Sequence, residues 1–343
     1  MNTQLINHPQ AVPVPAKFMP KDLISTRDLS PREAEGLLHL AGLMKARPAD
    51  FCDALSGKQL VMFFEKASLR TRLTFEAGMA SMGGVSFFFD QTQGRLDARE
   101  KLSDIAHNLE RWIDVIVLRT YDQSTIEGMA EHASVPVINA LSGLEHPCQA
   151  LADYMTLQER FGALKNVTLA YVGDGNNVAN SLLLTCAVLG SQVRIATPAE
   201  YGVDKQILAD AKKIARKTGA KIDILTDPHA AVAGADAVYT DQWTSMGWEN
   251  EQEARAAKFP PYQVNEALMA EAAPNALFMH CLPAHRGEEV TDAVIDAETS
   301  VVFDQAENRM HAQKALLLML LGGAKRISNS RGRGTQTRKR TTA

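Results

Sequence analysis

Short apolar runs alternate with helix-length amphipathic segments along most of the chain. Runs rich in Val, Ile, Leu and Phe predict strands at Gln59–Phe64, Val85–Phe89, Val115–Leu118, Val135–Ile138, Val167–Val172, Gln192–Ala196, Lys221–Leu225, Ala237–Tyr239, Ala276–His280 and Val301–Phe303. Helices are predicted between them, for example after the capping box Ser30 to Glu33 and from Lys205 to Thr218. Strands that alternate with helices in this way are typical of parallel sheets covered on both faces.

The strands fall into two series, and the long helical segment from His146 to Phe161 separates them. A chain of 343 residues is longer than a single core usually supports. We therefore expect an α/β protein with two doubly wound parallel-sheet domains joined by long helices and an active site in the cleft between them. The predicted domains are residues 1–153, to which a C-terminal helix 308–325 returns, and residues 154–307.

Composition narrows the class of function. With 45% hydrophobic residues and a formal net charge of −4, the chain has ample core material and no overall attraction to nucleic acid or an anionic membrane. Four scattered cysteines without paired spacing indicate reduced thiols, and no signal or transit peptide is recognised, so a cytoplasmic protein is expected. Residues 326–343 are rich in Lys and Arg without aromatic residues, and we expect a disordered tail.

The segment from Lys66 to Arg72 indicates a phosphate site. It joins a predicted strand to a helix beginning near Leu69, and the first N–H groups of a helix lack partners within the helix. Ser68, Arg70, Thr71 and Arg72 add hydroxyls and guanidinium groups at the same point.

Further polar residues follow other predicted strands directly. Arg119, the segment Asp174–Asn177, Asp241 and Cys281 all stand at carboxyl ends of strands. Each has an ordinary structural reading, such as an ion pair or a buried thiol. Because ligands bind outside the carboxyl ends of parallel strands, we expect these groups to meet in one cleft.

Four motifs together resemble the transcarbamylases, and within them the ornithine carbamoyltransferases, from about Lys21 to Lys325. They are Ser68-Leu69-Arg70-Thr71-Arg72, His146-Pro147-Cys148-Gln149, Asp241-Gln242-Trp243-Thr244-Ser245-Met246-Gly247 and His280-Cys281-Leu282-Pro283. The first is usually Ser-Thr-Arg-Thr-Arg in the family, so Leu69 replaces a threonine.

The resemblance implies a set of site residues. Those expected to bind carbamoyl phosphate are Ser68, Leu69, Arg70, Thr71, Arg119, His146, Gln149, Cys281, Leu282 and Arg309. Those expected to bind ornithine are Asn177, Asp241, Ser245 and Met246, and the catalytic set is Arg119, His146, Asp241 and Cys281. The resemblance implies neither a metal nor a cofactor, and it implies a homotrimer or a multiple of trimers.

The expected reaction is carbamoyl transfer from carbamoyl phosphate to the δ-amino group of L-ornithine, giving citrulline and phosphate in arginine biosynthesis or degradation. Transfer to another amine, such as putrescine or N-acetylornithine, is the alternative. A nicotinamide-dependent dehydrogenase using the turn Gly173–Asn177 is disfavoured because the glycine spacing is wrong. A non-catalytic homologue is disfavoured by Arg70, His146 and Cys281.

Overall fold

The computed structural model describes residues 20–92, 94–244 and 249–322. Its strands are β1 (Gln59–Phe64), β2 (Val85–Asp90), β3 (Val115–Arg119), β4 (Val137–Leu141), β5 (Thr168–Val172), β6 (Gln192–Ala196), β7 (Lys221–Leu225), β8 (Ala237–Thr240) and β9 (Leu277–His280). They form two all-parallel sheets, one in the order β2-β1-β3-β4 and the other in the order β7-β6-β5-β8-β9. The predicted α/β architecture is therefore confirmed.

Helices connect the strands and cover the sheets. They are α1 (Pro31–Ala46), α2 (Leu69–Ser81), α3 (Leu102–Leu109), α4 (Gln123–His132), α5 (Pro147–Phe161), α6 (Asn177–Leu189), α7 (Lys205–Thr218), α8 (Pro228–Val232), α9 (Gln252–Lys258), α10 (Glu266–Met269), α11 (Asp292–Ile295) and α12 (Val302–Leu321). None of these helices is long and apolar enough to cross a membrane.

Local signals in the sequence set several helix ends. The Ser30 Oγ accepts the N–H of Glu33, and the Glu33 Oε2 accepts the N–H of Ser30, which makes a complete capping box for α1. Asp204 caps the start of α7, and Gly219 ends it in the left-handed conformation that glycine adopts without strain.

Two long helices join the halves of the molecule. α5 runs without interruption through residue 153, and its residues from Pro147 to Leu157 are buried. α12 returns to pack against α1, α2 and α5. It begins at Val302, earlier than the predicted position 308. The domain division at residue 153 stays a prediction, and residues 326–343 lie outside the described part of the chain.

The predicted strand Val301–Phe303 is wrong. The N–H of Val301 donates to the carbonyl of Phe278 at 3.0 Å, and Ser300 makes a single bridge to β9 before the chain turns into α12. A three-residue apolar run cannot distinguish a strand from the first turn of a buried helix, because both present adjacent apolar side chains.

Candidate active site

A cavity of about 310 Å³ lies between the carboxyl ends of the two sheets. Its walls come from residues at or just after the ends of β1, β3, β4, β8 and β9, where parallel strands present their loops. It is lined by all the described residues of the predicted substrate-binding and catalytic sets, namely Ser68, Leu69, Arg70, Thr71, Arg119, His146, Gln149, Asn177, Asp241, Cys281, Leu282 and Arg309. The structure brings these side chains together, while the substrate that each one binds stays a prediction.

The N-terminus of α2 forms one wall. Ser68 caps the helix, because its Oγ accepts the N–H of Thr71 at 3.3 Å and donates to the Thr71 Oγ1 at 3.0 Å. The first-turn N–H groups therefore lie at the cavity beside the Arg70 side chain. This combination of helix dipole, hydroxyls and guanidinium group is suited to an anion.

Arg309 enters the same wall from α12. Its Nη2 donates to the Thr71 Oγ1 at 2.7 Å, and its Nη1 donates to the Gln149 Oε1. The side chain is buried, so these two hydrogen bonds and the surrounding helices hold the guanidinium group in one orientation.

Arg119, at the end of β3, is a second buried cation. Its Nε donates to the carbonyl of Lys66 at 3.1 Å. Burial, followed by the nearby charge of Arg309, lowers the pKa of Arg119 to about 9. The guanidinium group therefore remains charged at neutral pH and can donate to an oxygen that gains negative charge.

His146 precedes α5 and faces both arginines. Its backbone N–H donates to the Ser181 Oγ at 2.7 Å. Burial, then the charges of Arg309 and Arg119, hold the pKa of His146 well below its usual value, so the imidazole is neutral. Within the described residues its Nδ1 has no hydrogen-bond partner.

The opposite wall carries a carboxylate and a thiol. The Asp241 Oδ2 accepts the Nδ2 of Asn176 at 2.8 Å, and its Oδ1 accepts the Cys281 thiol at 3.1 Å. Burial, together with the Asp241 carboxylate, raises the pKa of Cys281 well above its usual value. Cys281 is therefore a neutral hydrogen-bond donor here, not a thiolate.

Asn177 and Leu282 complete the walls. Asn177 opens α6 and donates from Nδ2 to the carbonyl of Ser142 at 2.7 Å. Leu282 has a φ of 58°, a left-handed conformation that is uncommon for a non-glycine residue. Its N–H donates to the Nδ1 of His280 at 2.8 Å, which holds this turn against the cavity.

Comparison with protein families agrees with this geometry. The model for the carbamoyl-P binding domain of aspartate/ornithine carbamoyltransferases matches residues 21–159, and the model for the Asp/Orn binding domain matches residues 165–320. The chain belongs to the aspartate/ornithine carbamoyltransferase family. The predicted resemblance is thereby confirmed.

Members of the carbamoyltransferase family are similar over almost their whole length. An ornithine carbamoyltransferase of Shewanella oneidensis is 51% identical over 300 residues, which are 88% of this chain and 99% of that protein. An anabolic ornithine carbamoyltransferase of Pyrococcus furiosus is 47% identical over 310 residues, covering 89% and 98%. A solved ornithine carbamoyltransferase structure from Pyrococcus furiosus gives a TM-score of 0.86 at 46% identity, covering 90% of this chain and 99% of that one.

Arg72 departs from the expectation that it would lie beside the phosphate site. It does not line the cavity, because its Nε donates to the Glu76 Oε1 at 3.0 Å and its guanidinium group lies 3.9 Å above the Phe88 ring. One residue along a helix turns the side chain by about 100°, so Thr71 and Arg72 face different directions.

Two other family positions need comment. Leu69, which stands where the carbamoyltransferase pattern has threonine, lies at the cavity with 72% of its surface exposed. Ser245 and Met246 lie outside the described residues, so their predicted contacts with ornithine stay predictions.

Three polar residues lie within the segments recognised in the sequence but were given no role of their own. Lys66 lines the cavity and, together with Asn177, also lines an adjoining cavity of about 420 Å³. Gln242 lines the first cavity and donates to the carbonyl of Pro283 at 2.9 Å. The Nδ2 of Asn176 donates to the Oδ2 of Asp241 at 2.8 Å and so orients this carboxylate. Each of the three stands beside or close to a predicted site residue in the sequence, and this closeness is the signal that could have identified it.

Among the residues that the structure describes, two side-chain groups could offer three metal ligands each. They are Asp241, His280 and Cys281, and separately His285, Glu288 and Glu289. In the first group the thiol donates to Asp241, and the Nδ1 of His280 accepts the N–H of Leu282. A metal there would have to displace these hydrogen bonds and a thiol proton whose pKa is raised.

Proposed function

We propose that this chain transfers the carbamoyl group of carbamoyl phosphate to the δ-amino group of L-ornithine, giving L-citrulline and phosphate. The observation that carries the proposal is the composition of the cavity. One wall has a helix N-terminus with Arg70, Arg119 and Arg309, and the facing wall has Asp241 hydrogen-bonded to Cys281. The first suits a phosphorylated donor, and the second suits a primary amine.

The phosphate of the donor binds at the N-terminus of α2. Ser68, Arg70, Thr71 and the first-turn N–H groups surround it, and Arg309 supplies a further charge from α12. These groups already neutralise a dianion, so binding requires little rearrangement. In this proposal residues 1–153 and the returning α12 form the donor-binding unit.

The carbamoyl oxygen lies between Arg119 and His146. Arg119 is charged and His146 is neutral, so one cationic and one neutral donor polarise the carbonyl without repelling each other. When the amine attacks the carbonyl carbon, negative charge grows on this oxygen. Donors that are already buried and oriented stabilise that charge more than water would.

Ornithine binds against Asn177 and Asp241, which line the cavity. The family resemblance adds Ser245 and Met246 to the ornithine-binding set, and these two residues lie outside the described part of the chain. An alkyl ammonium group with a pKa of about 10.4 in water, by analogy with lysine, must lose a proton before it attacks. Asp241 orients the ammonium group, and partial removal from water near the half-buried Cys281 thiol favours the neutral form of the amine. The nitrogen then bonds to the carbonyl carbon, the C–O bond to phosphate breaks, and the departing phosphate takes up the second proton of the nitrogen.

The amine acceptor is tested by comparing substrates. Citrulline or carbamoylated product is measured with carbamoyl phosphate and either ornithine, putrescine, N-acetylornithine or aspartate, with reactions lacking carbamoyl phosphate as the control. The proposal expects kcat/KM for ornithine to exceed that of each alternative by at least about a hundredfold. A comparable value for putrescine or N-acetylornithine would assign another acceptor.

Two properties of the whole protein belong to the same proposal. A cytoplasmic location is supported by Cys52, Cys148, Cys186 and Cys281, all of which are free thiols, as expected in a reducing compartment. A homotrimer, or a multiple of it, is the proposed assembly, and the exposed apolar side chains on the edge strand β2 support a contact between subunits. The substrates carbamoyl phosphate and L-ornithine require no metal or other cofactor in this mechanism.

A further inference from the structure

Asp153 is a buried carboxylate on α5 that does not line the cavity. Its Oδ1 accepts the Nε2 of Gln149 at 2.8 Å and the Nε2 of Gln305 at 3.0 Å, and its Oδ2 accepts the Tyr239 hydroxyl at 3.1 Å. An ionised carboxylate can only accept hydrogen bonds, so both glutamines must turn their NH₂ groups toward it. Each amide oxygen then faces away from Asp153.

The first amide leads to the donor wall. The Oε1 of Gln149 accepts Nη1 of Arg309, and Nη2 of Arg309 donates to Thr71. If the Gln149 amide were reversed, its NH₂ group would face the guanidinium group, which has donors only. Asp153 therefore fixes the one amide orientation that can hold Arg309 against the phosphate-binding helix.

The second amide leads to the acceptor wall. The Oε1 of Gln305 accepts the backbone N–H of His280 at 3.0 Å, and His280 directly precedes Cys281. Gln305 lies on α12, so this hydrogen bond ties the end of β9 to the helix that also carries Arg309. One carboxylate thus orients a contact to each wall of the cavity.

We propose that Asp153 is a positioning residue. Through the amide of Gln149 it fixes the position of Arg309, and through the amide of Gln305 it fixes the position of the turn at Cys281. This inference rests on the proposed carbamoyl transfer. Asp153 does not touch either substrate; it acts by excluding the wrong orientation of two buried amides.

Two substitutions at Asp153 separate hydrogen bonding from charge. Asp153→Leu removes every acceptor, and we expect the Kd of carbamoyl phosphate, measured by calorimetry, to rise at least about tenfold and kcat/KM to fall about a hundredfold or more. Asp153→Asn keeps an oxygen for the two glutamines and can donate to the Tyr239 hydroxyl. It should therefore rescue both quantities to within about threefold of wild type.

Two further substitutions test the hydrogen bonds of Asp153 at residues that do not line the cavity. Gln305→Leu removes the contact to His280 together with Gln305's own hydrogen bond to Asp153, and it leaves the Gln149 amide and Arg309 in place. We therefore expect kcat to fall about tenfold while the Kd of carbamoyl phosphate stays within about twofold. Tyr239→Phe is the matched control, because it removes a hydrogen bond to Asp153 without changing either amide, and both quantities should stay within about twofold. Comparing Gln305→Leu with Tyr239→Phe therefore tests whether Asp153 acts through the amides, even if Asp153→Leu does not fold.

Several results would overturn the inference. They are a folded Asp153→Leu enzyme with wild-type affinity, an Asp153→Asn enzyme as impaired as Asp153→Leu, or Gln305→Leu and Tyr239→Phe enzymes that behave alike. Failure of the proposed function would be distinct, since the wild-type protein would then neither bind carbamoyl phosphate nor form citrulline.

Discussion

At the scale of single residues, the site combines buried arginines with a histidine whose pKa is lowered. Burial lowers the pKa of Arg119, Arg309 and His146, and nearby positive charge adds to the effect: Arg309 lowers the pKa of Arg119, and both arginines lower the pKa of His146. His146 is consequently neutral, while the arginines remain charged. Such a pocket attracts a phosphorylated anion. It offers the carbonyl of carbamoyl phosphate one charged hydrogen-bond donor, Arg119, and one neutral donor, His146.

Arg70 and Arg72 provide a matched comparison within one helical turn. Arg70→Ala should lower kcat/KM for carbamoyl phosphate by about 2–3 kcal/mol, since it removes a charge-assisted hydrogen bond to phosphate. Arg72→Ala should change it by less than about twofold, because Arg72 pairs with Glu76 outside the cavity. Steady-state kinetics of both variants measure the two effects. Equal effects would mean that the segment from Ser68 to Arg72 does not bind the phosphate.

Leu69 is a departure from the family pattern that can be reversed. Leu69→Thr should tighten carbamoyl phosphate binding by about 1 kcal/mol, the net value of one hydrogen bond, and the loss of an exposed leucine should cost little packing. Calorimetric titration measures the change. Weaker binding by the variant would mean that the leucine itself contacts the ligand or packs in the assembled protein.

At the scale of elements, the sequence predicted what depends on local patterns. The bounds of β1, β6 and β7 and the caps of α1 and α7 follow from apolar runs and capping residues, and the structure confirms them. The twelve described site residues were recognised because family motifs mark them. The hydrogen bonds of Asp153 and the turn of Arg72 away from the cavity depend on how α2, α5 and α12 pack, which no local pattern encodes.

The turn Thr26–Asp28 links both halves of the molecule through a buried carboxylate. Thr26 donates its N–H to the Glu145 Oε2 at 3.4 Å, and Thr185 of α6 donates to the Thr26 hydroxyl at 3.4 Å. Glu145 is fully buried, and burial raises its pKa to about 7. Ionised Glu145 therefore opposes folding.

This buried carboxyl group predicts a pH dependence of stability. Between the ordinary pKa and about 7 the folded protein binds more protons at Glu145 than the unfolded chain does, so the free energy of unfolding falls as pH rises through this window. Relative to Glu145→Gln, the wild type should lose about 3 kcal/mol between pH 4.5 and 7.5. Urea unfolding of both proteins measures the difference, and parallel pH curves would contradict the assignment.

At the scale of the whole molecule, one edge strand is apolar and exposed in the part of the chain that the structure describes. Val85, Phe87 and Phe89 alternate along β2, the edge strand of the first sheet, and about half of each side chain is exposed. Exposed apolar edge strands are usually covered by a partner. This surface is therefore the expected contact between subunits.

Phe87→Glu tests that contact. A charge in an apolar subunit interface is costly to bury, so the variant should dissociate while the wild type sediments as a trimer or a multiple of it. Sedimentation velocity distinguishes the two, and Arg72→Ala serves as a control substitution on the neighbouring helix. A wild-type monomer, or a variant that assembles normally, would contradict the expectation.

The central claim is that one cleft holds a donor site on the first unit and an acceptor site on the second. Asp241→Asn tests it most directly, because Asp241 faces the amine and contacts Cys281 and Asn176, not the phosphate wall. Calorimetry on the free enzyme should give a carbamoyl phosphate affinity within about twofold of wild type, while kcat/KM for ornithine falls by about a thousandfold. Lost affinity for carbamoyl phosphate with an unchanged KM for ornithine would contradict this division of the cleft.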